Sequence, residues 1–262
     1  MTYVIVRLII QMEDVKCGRG GLNMINKNVA FDLETTCILS DIELKRWQDE
    51  KVAKINKNKT YKDKTKLGKI EEIEKSILEI KMGIPNKLKE TIVKEFSVNP
   101  LKNRICAVGM TYRNEEGELV EKALAGRDEG VLVDMFFDTI EEFMLENETD
   151  PTLVGHNIVS FDIATLKIAI IRNNKKDRIE QLNLKNRRLL FPFSKDNDSY
   201  IDSMNLYNAK LNEISLAITG EGKIDNGSEV YQMYLDEDFD RMTKYVQSDA
   251  TLSFMNIEEL TM

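Results

Sequence analysis

Three short segments of the sequence place acidic side chains at spacings that can aim them at a common point. The first is Phe31-Asp32-Leu33-Glu34-Thr35-Thr36, at the end of an apolar run. In a strand side chains alternate, so Asp32 and Glu34 would share one face, where two carboxylates can share metal ions. The second is Val154-Gly155-His156-Asn157-Ile158-Val159-Ser160-Phe161-Asp162. Here a short buried strand runs into a turn and Asp162 opens a helix, a position where Asp ordinarily serves as an N-cap. The third is Tyr245-Val246-Gln247-Ser248-Asp249. Residues four apart on a helix stand one turn above each other, so this phenol and carboxylate can meet.

Two of these patterns have an ordinary counterpart in the same chain. Asp41-Ile42-Glu43 repeats the first outside any strand signal, and Tyr234 with Asp238 repeats the third within an acidic run that reads as solvated surface. With 45 Asp and Glu in the chain, such matches arise by chance. The three singled out differ in that each falls at the boundary or inner face of an expected element. Carboxylates gathered in one cleft repel each other and take up protons unless cations are present, and oxygen-only ligand sets suit magnesium or manganese.

The elements that must position these groups are read from periodicity. Asn28 to Phe31 is strand-like. Leu67, Ile70, Ile73, Ile77 and Ile80 recur at helical spacing until Gly83 and Pro85 stop the pattern, and Leu88, Ile92 and Phe96 suggest a second helix. Positions 44–99 are therefore expected to form a helical insertion, preceded by a lysine-rich loop. Arg104 to Tyr112 and Leu119 to Leu124 flank the turn signal Asn114-Glu115-Glu116-Gly117 and predict a hairpin. Helices are expected over Val131 to Leu145, Ile163 to Ile171, Leu206 to Thr219 and Phe239 to Leu260, with a short buried strand at Thr152 to Gly155. The sum is an α/β chain with a mixed sheet. Residues 1–23 end in the breaker cluster Gly18 to Asn23 and read as an appended segment before a domain spanning 24–262.

At 262 residues and 42% hydrophobic content, the chain has the length for one α/β domain carrying a substantial insertion. It contains no apolar run of membrane-spanning length, and the stretch Tyr3 to Ile10 is broken by Arg7 and lacks a charged leader, so neither a membrane span nor export is expected. Cys17, Cys37 and Cys106 are odd in number and lack C-x-x-C spacing, which argues against a disulfide framework and a structural zinc site. A reducing, cytoplasmic compartment is the expectation. The net charge of −8 hides an asymmetry: Lys51 to Arg104 holds 15 Lys and Arg against 7 Asp and Glu. The acidic remainder is where a cation-holding site belongs.

Taken together, the three segments resemble the DEDD exonucleases of the ribonuclease H-like (DnaQ-like) superfamily, in the subclass with tyrosine in the third motif. The likeness is greatest to the proofreading domain of family B DNA polymerases and to stand-alone phage-type relatives, which admits a virus- or phage-encoded origin. It covers about residues 28–36 and 103–260, and the spacing Asn157-x-x-x-Phe161-Asp162 is its most specific part. Asp202-Ser203 and Lys223-Ile224-Asp225-Asn226-Gly227 also look like this family, whereas 1–23 and 44–99 depart from it. The resemblance implies a ribonuclease H-like mixed sheet flanked by helices, and a 3′→5′ exonuclease. It implies that Asp32, Glu34, Asp162 and Asp249 hold two divalent ions, Mg2+ or Mn2+, with Tyr245 beside the attacking water. It further implies that Asn157, Phe161, Thr35 and Thr36 contact the 3′ end of a single strand, DNA rather than RNA.

An exoribonuclease of the same chemistry stays open, as does a silent nucleic-acid-binding or partner module, although the latter predicts a lost carboxylate and all four are present. His156, the only histidine, reads as a structural, hydrogen-bonded residue. The place where a sister subclass carries histidine is Lys244 here. Trp47 and Tyr61, among the insertion's lysines, fit either bases stacking over a basic track or a solvated helix face with apolar anchors. A replication or repair partner bound through 44–99 is a further expectation.

Overall fold

The computed structural model describes residues 27–82, 84, 86–181 and 200–261. The appended segment 1–23, the stop residues Gly83 and Pro85, and most of the polar stretch before Ser199 lie outside the described residues. The chain opens with strand β1 (Asn28–Cys37), followed by helices α1 (Asp41–Lys57), α2 (Asp63–Lys81) and α3 (Lys87–Ser97). The hairpin β2 (Asn103–Arg113) and β3 (Leu119–Ala125) leads to α4 (Glu129–Asn147), β4 (Thr152–Gly155), α5 (Asp162–Arg172) and α6 (Lys176–Gln181). The last part is β5 (Tyr200–Asp202), α7 (Ser203–Tyr207), α8 (Leu211–Ile218), a 3-10 turn at Gly227–Glu229, α9 (Val230–Asp236) and α10 (Phe239–Thr261).

The five strands form one mixed sheet in the order β3-β2-β1-β4-β5. β1 pairs antiparallel with β2 and parallel with β4, which in turn pairs parallel with β5. This is the ribonuclease H-like α/β architecture. Alternation along β1 divides the two faces. Val29, Phe31 and Leu33 bury against Phe136, Phe137, Ile140 and Phe143 of α4 and Ile163, Leu166 and Ile170 of α5. Ala30 turns the other way, with Val154, onto Phe254 and Ile257 of α10. Asp32 and Glu34 follow Ala30 in the same phase and so face the α10 side.

Two devices bring α10 down onto the sheet. Gly109 lies opposite Asp32 in the β1–β2 pairing, and a Cβ there would overlap the Val246 carbonyl of α10. Cys106, Ala107, Met242, Tyr245 and Val246 then close around the contact with Val230 and Met233 of α9. A β-bulge interrupts the pairing between Glu34 and Thr35, immediately after the acidic pair. Next to it, the Ile105 amide donates to Glu129 Oε1 at 2.9 Å, and Arg172 clamps that carboxylate with two bonds of 2.8 and 2.6 Å. Bulges leave a ladder amide to be satisfied elsewhere.

The insertion after β1 is helical as expected, but it has three helices rather than two, and the stretch expected as a lysine-rich loop is α1. The signal was present: Ser40 and Glu43 form a reciprocal capping box at 3.2 Å each way, so Asp41-Ile42-Glu43 starts a helix. Trp47 is 2% exposed and packs with Leu44, Ile77, Ile92, Phe96 and Cys37, its indole donating to Glu95 at 3.2 Å. It anchors the insertion and offers no stacking surface. The segment 206–219 is two helices, because Asn208 adopts a left-handed conformation at the end of α7. The three-residue β5 is too short to show a period.

Gly109→Ala is expected to destabilise the protein by about 1–3 kcal/mol, the range for overpacking, and to reduce the turnover that the resemblance implies by more than the melting temperature suggests, because it shifts α10 against Asp32. Thermal melts beside a cleavage assay check this. Unchanged turnover with unchanged stability would contradict the close approach.

Candidate active site

β1 supplies Asp32 and Glu34, both half-buried, and α10 supplies Asp249, which is 1% exposed. One carboxylate oxygen from each of the three lies within 4.8 Å of the others. Tyr245, one turn earlier on α10, is 1% exposed, and its hydroxyl hydrogen-bonds toward both Glu34 and Asp249. The decoys fall elsewhere. Tyr234 packs edge-on against Phe239 under the Arg127 guanidinium, and Asp41 pairs with Lys81 at 2.9 Å.

Asp162 arrives from the opposite side of β1. It occupies the first turn of α5, yet Phe161 is the N-cap residue and no side chain caps this helix. The Asp162 carboxylate instead accepts the Leu33 amide at 3.0 Å, between the two acids of β1. The ordinary capping role is thus replaced by a tie to the acidic strand. The turn before it is compact. A Cβ on Gly155 would collide with Ile158, and Asn157 sits in the left-handed region at φ 63°. Asp202, 7% exposed at the end of β5, accepts the amides of Asn157 at 2.7 Å, Val159 at 3.1 Å and Met204 at 3.0 Å. This carboxylate, for which the sequence reading named no role, is what pins the loop carrying Asn157 and Phe161, both half-buried at the site's edge.

Burial raises the proton affinity of all four acids, and repulsion from neighbouring carboxylates adds to it at Asp32, Glu34 and Asp162. Asp32 is pushed up to about 7, first by burial and then by Asp249, while Glu34 and Asp162 are driven well above the usual carboxylate range. Asp249 is also raised by burial, with the Lys223 ammonium opposing. Asp32 Oδ2 and Asp249 Oδ1 are buried without a hydrogen-bond partner among the described residues. An anionic oxygen left so is costly. An all-oxygen cluster with unsatisfied lone pairs fits a hard divalent cation, which satisfies several such oxygens at once.

Lys223 is a charged group at the cluster to which the sequence reading gave no role. Its Nζ pairs with Asp249 Oδ2 and stands 5.1 Å from the centre of the Tyr245 ring. Its loop is tied down on two sides: the Lys223 amide donates to Asn212 at 2.9 Å, and Asp225 takes two bonds of 2.7 and 2.9 Å from Arg241 of α10. The available signal was the segment Lys223 to Gly227, noted for its likeness but given no chemistry.

Other named positions have structural partners. His156 shares a 3.0 Å hydrogen bond between Nδ1 and Ser203 Oγ, and burial holds its imidazole below the ordinary range. The Thr35 hydroxyl is committed to the Ser97 carbonyl at 2.7 Å, and Thr36 is fully buried, so neither side chain is presented for contact with a sugar or base. Lys244 is exposed and lines a cleft of about 480 Å³ with Glu121 and Gln247, on the β3 side of α10. It takes no part in the carboxylate cluster.

No curated protein matches the chain. A family model does, over residues 94–256, which hold Asp162, Tyr245 and Asp249, while β1 with Asp32 and Glu34 precedes the matched stretch and is brought to it by the fold. That match covers more than half of the sequence, and the chain belongs to the family described as predicted 3′-5′ exonucleases related to the exonuclease domain of PolB.

Proposed function

We propose that the chain hydrolyses phosphodiester bonds one nucleotide at a time from the 3′ end of single-stranded DNA, using two divalent cations, Mg2+ or Mn2+, and releasing nucleoside 5′-monophosphates. The observation that carries this reading is the convergence of Asp32, Glu34 and Asp249 within 4.8 Å, two of them with unsatisfied buried oxygens. Asp162 joins them through the backbone of the acidic strand. Bound there, divalent cations supply the positive charge that activates a water and stabilises the leaving 3′ oxygen. A single strand is favoured because the acids are buried or half-buried, where an unpaired end reaches them more readily than a duplex. The family's stated relation to a polymerase exonuclease favours DNA.

The chain's own groups divide the remaining work. Burial and the neighbouring carboxylates raise Tyr245 above the ordinary phenol range, so it stays protonated and acts as a hydrogen-bond donor. Its single proton is directed at the Glu34 and Asp249 carboxylates, which leaves the phenol oxygen to accept from a water at their edge. Asn157 and Phe161 are assigned to the terminal nucleotide, a reading supported by the tie of their turn to Asp202 through the Asn157 and Val159 amides.

A time course on 5′-labelled single strands of DNA and RNA, with magnesium, manganese or chelator, tests the reading. Stepwise shortening from the 3′ end, abolished by chelator, is expected. Internal cuts or metal-independent cleavage would overturn it, and a preference for RNA would move the substrate to a ribonucleotide strand. Asp32→Asn is expected to reduce turnover by roughly 10²–10³-fold or more. Tyr245→Phe is expected to cost roughly ten- to a thousandfold while Tyr234→Phe costs little. The reverse ranking would refute the placement of the phenol.

The raised carboxylates also make stability depend on pH. A folded-state pKa above the ordinary value means that the fold binds extra protons, so this contribution is present below the ordinary pKa and lost as pH rises through the folded one. For Asp32 that window runs from 3.8 to about 7. Metal-free protein is therefore expected to lose melting temperature as pH climbs across it, and Asp32→Asn to flatten the loss. Saturating magnesium should restore stability at pH 8. A melting temperature insensitive to both pH and magnesium would contradict the assigned site.

A further inference from the structure

The insertion's positive charge is not spread along it. From Lys54 to Lys69 there are seven lysines and a single acid, Asp63, and this stretch forms the tip of the α1–α2 hairpin. Nearer the sheet several lysines are paired: Lys51 with Glu95 at 2.8 Å, Lys81 with Asp41 at 2.9 Å and Lys102 with Glu50 at 3.5 Å. Lys54, Lys57, Lys59, Lys62 and Lys64 are exposed, and among the described residues none of the five has a carboxylate partner. The turn is held by contacts that leave the charge in place. Lys66 donates to the Asn56 carbonyl at 3.2 Å, and Lys69 lies 4.7 Å from the centre of the Tyr61 ring. Tyr61 and Lys69 border a cleft of about 470 Å³. Ammonium groups crowded without counter-charges repel one another, and a phosphodiester chain is a ligand that matches their charge and spacing while an aromatic wall accepts a base.

Position relative to the carboxylates makes the match specific. The insertion is rooted on β1 just past Glu34: the Thr35 hydroxyl holds the end of α3 at 2.7 Å, and Cys37 belongs to the apolar cluster of Leu44, Trp47, Ile92 and Phe96. With 17 residues in α1, the tip stands about 25 Å from the root at 1.5 Å per residue. A strand stacked at about 3.4 Å per nucleotide spans that distance in roughly seven nucleotides. The chain outside Lys51 to Arg104 is strongly acidic, so a bound strand needs a cationic anchor away from the site.

We infer that the α1–α2 tip is a second nucleic-acid site, whose lysines hold phosphates of the substrate strand on the 5′ side of the end being cut, roughly seven nucleotides from it. The inference rests on the exonuclease reading of the carboxylate site. It makes affinity depend on strand length, and it leaves the chemistry of the terminal bond to the acids.

The test compares the wild type with a variant carrying Lys54→Gln, Lys57→Gln, Lys59→Gln, Lys62→Gln and Lys64→Gln, and with a second in which the same five become arginine. Affinity for a fluorescent 20-nucleotide thymidine strand is read by anisotropy in chelator at several salt concentrations, and cleavage of that strand and of a trinucleotide is read with manganese. The glutamine variant is expected to bind the long strand at least about tenfold more weakly at low salt, with a log–log salt slope smaller by up to about 3.5. Its KM for the long strand rises with kcat unchanged, trinucleotide cleavage stays within about twofold, and the arginine variant retains affinity. Full affinity and an unchanged salt slope in the glutamine variant would overturn the inference and leave the tip to an acidic protein partner. Equal losses on trinucleotide and long strand would also overturn it, as a structural effect. Should the wild type cut neither substrate, the exonuclease reading fails while the anisotropy series still decides the tip.

Discussion

Like charges held close in a poorly solvated place set the terms for the rest of this molecule. Asp32, Glu34, Asp162 and Asp249 repel one another, and each is partly or wholly removed from water, so none of their positions is favourable in isolation. What holds them is apolar. β1 is buried on both faces, its aromatic side under α4 and its acidic side under α10. The core carries a cost that the site imposes, and the Lys223 ammonium on Asp249 relaxes part of it. The same need explains why each supporting loop is fastened by charged hydrogen bonds. Asp202 gathers the Asn157 turn, and Arg241 grips the Lys223 loop.

Much of this was legible in the sequence, for a physical reason. Strand alternation and helical repetition are local rules, so the phase of Asp32 with Glu34 and of Tyr245 with Asp249 could be read without knowing the fold. Both pairs meet as those rules require. The hairpin over Asn114 to Gly117 and the short strand Thr152–Gly155 were equally local, one marked by turn residues and the other by an uninterrupted apolar run.

The parts that were not legible are those where a partner distant in sequence decides. Asp162 opens a helix, a place where Asp usually caps, and only the neighbouring β1 shows that it serves Leu33. Thr35 and Thr36 were read as offering backbone or hydroxyl groups to the last sugar or base; the insertion takes one hydroxyl and burial takes the other, which leaves the backbone groups. Trp47 lay among lysines and left two readings open, a stacking platform or an apolar anchor on a solvated helix; it is the anchor, since a sparse apolar stripe suffices for a helix that packs only at its root. Lys223 sits in a loop with no period, and its role is set wholly by where two side chains on other helices fasten that loop.

The close seat of α10 against Gly109 carries a consequence for the life of the chain. The acids of β1 lie near its start and Asp249 lies more than two hundred residues later, so the cluster cannot exist in a nascent chain whose last helix has not yet emerged. Contacts of such sequence separation are also among the slow ones to form. The carboxylate cluster is thus complete only once that helix has docked on the sheet. The glycine that admits the helix therefore decides whether residues so far apart in sequence can meet.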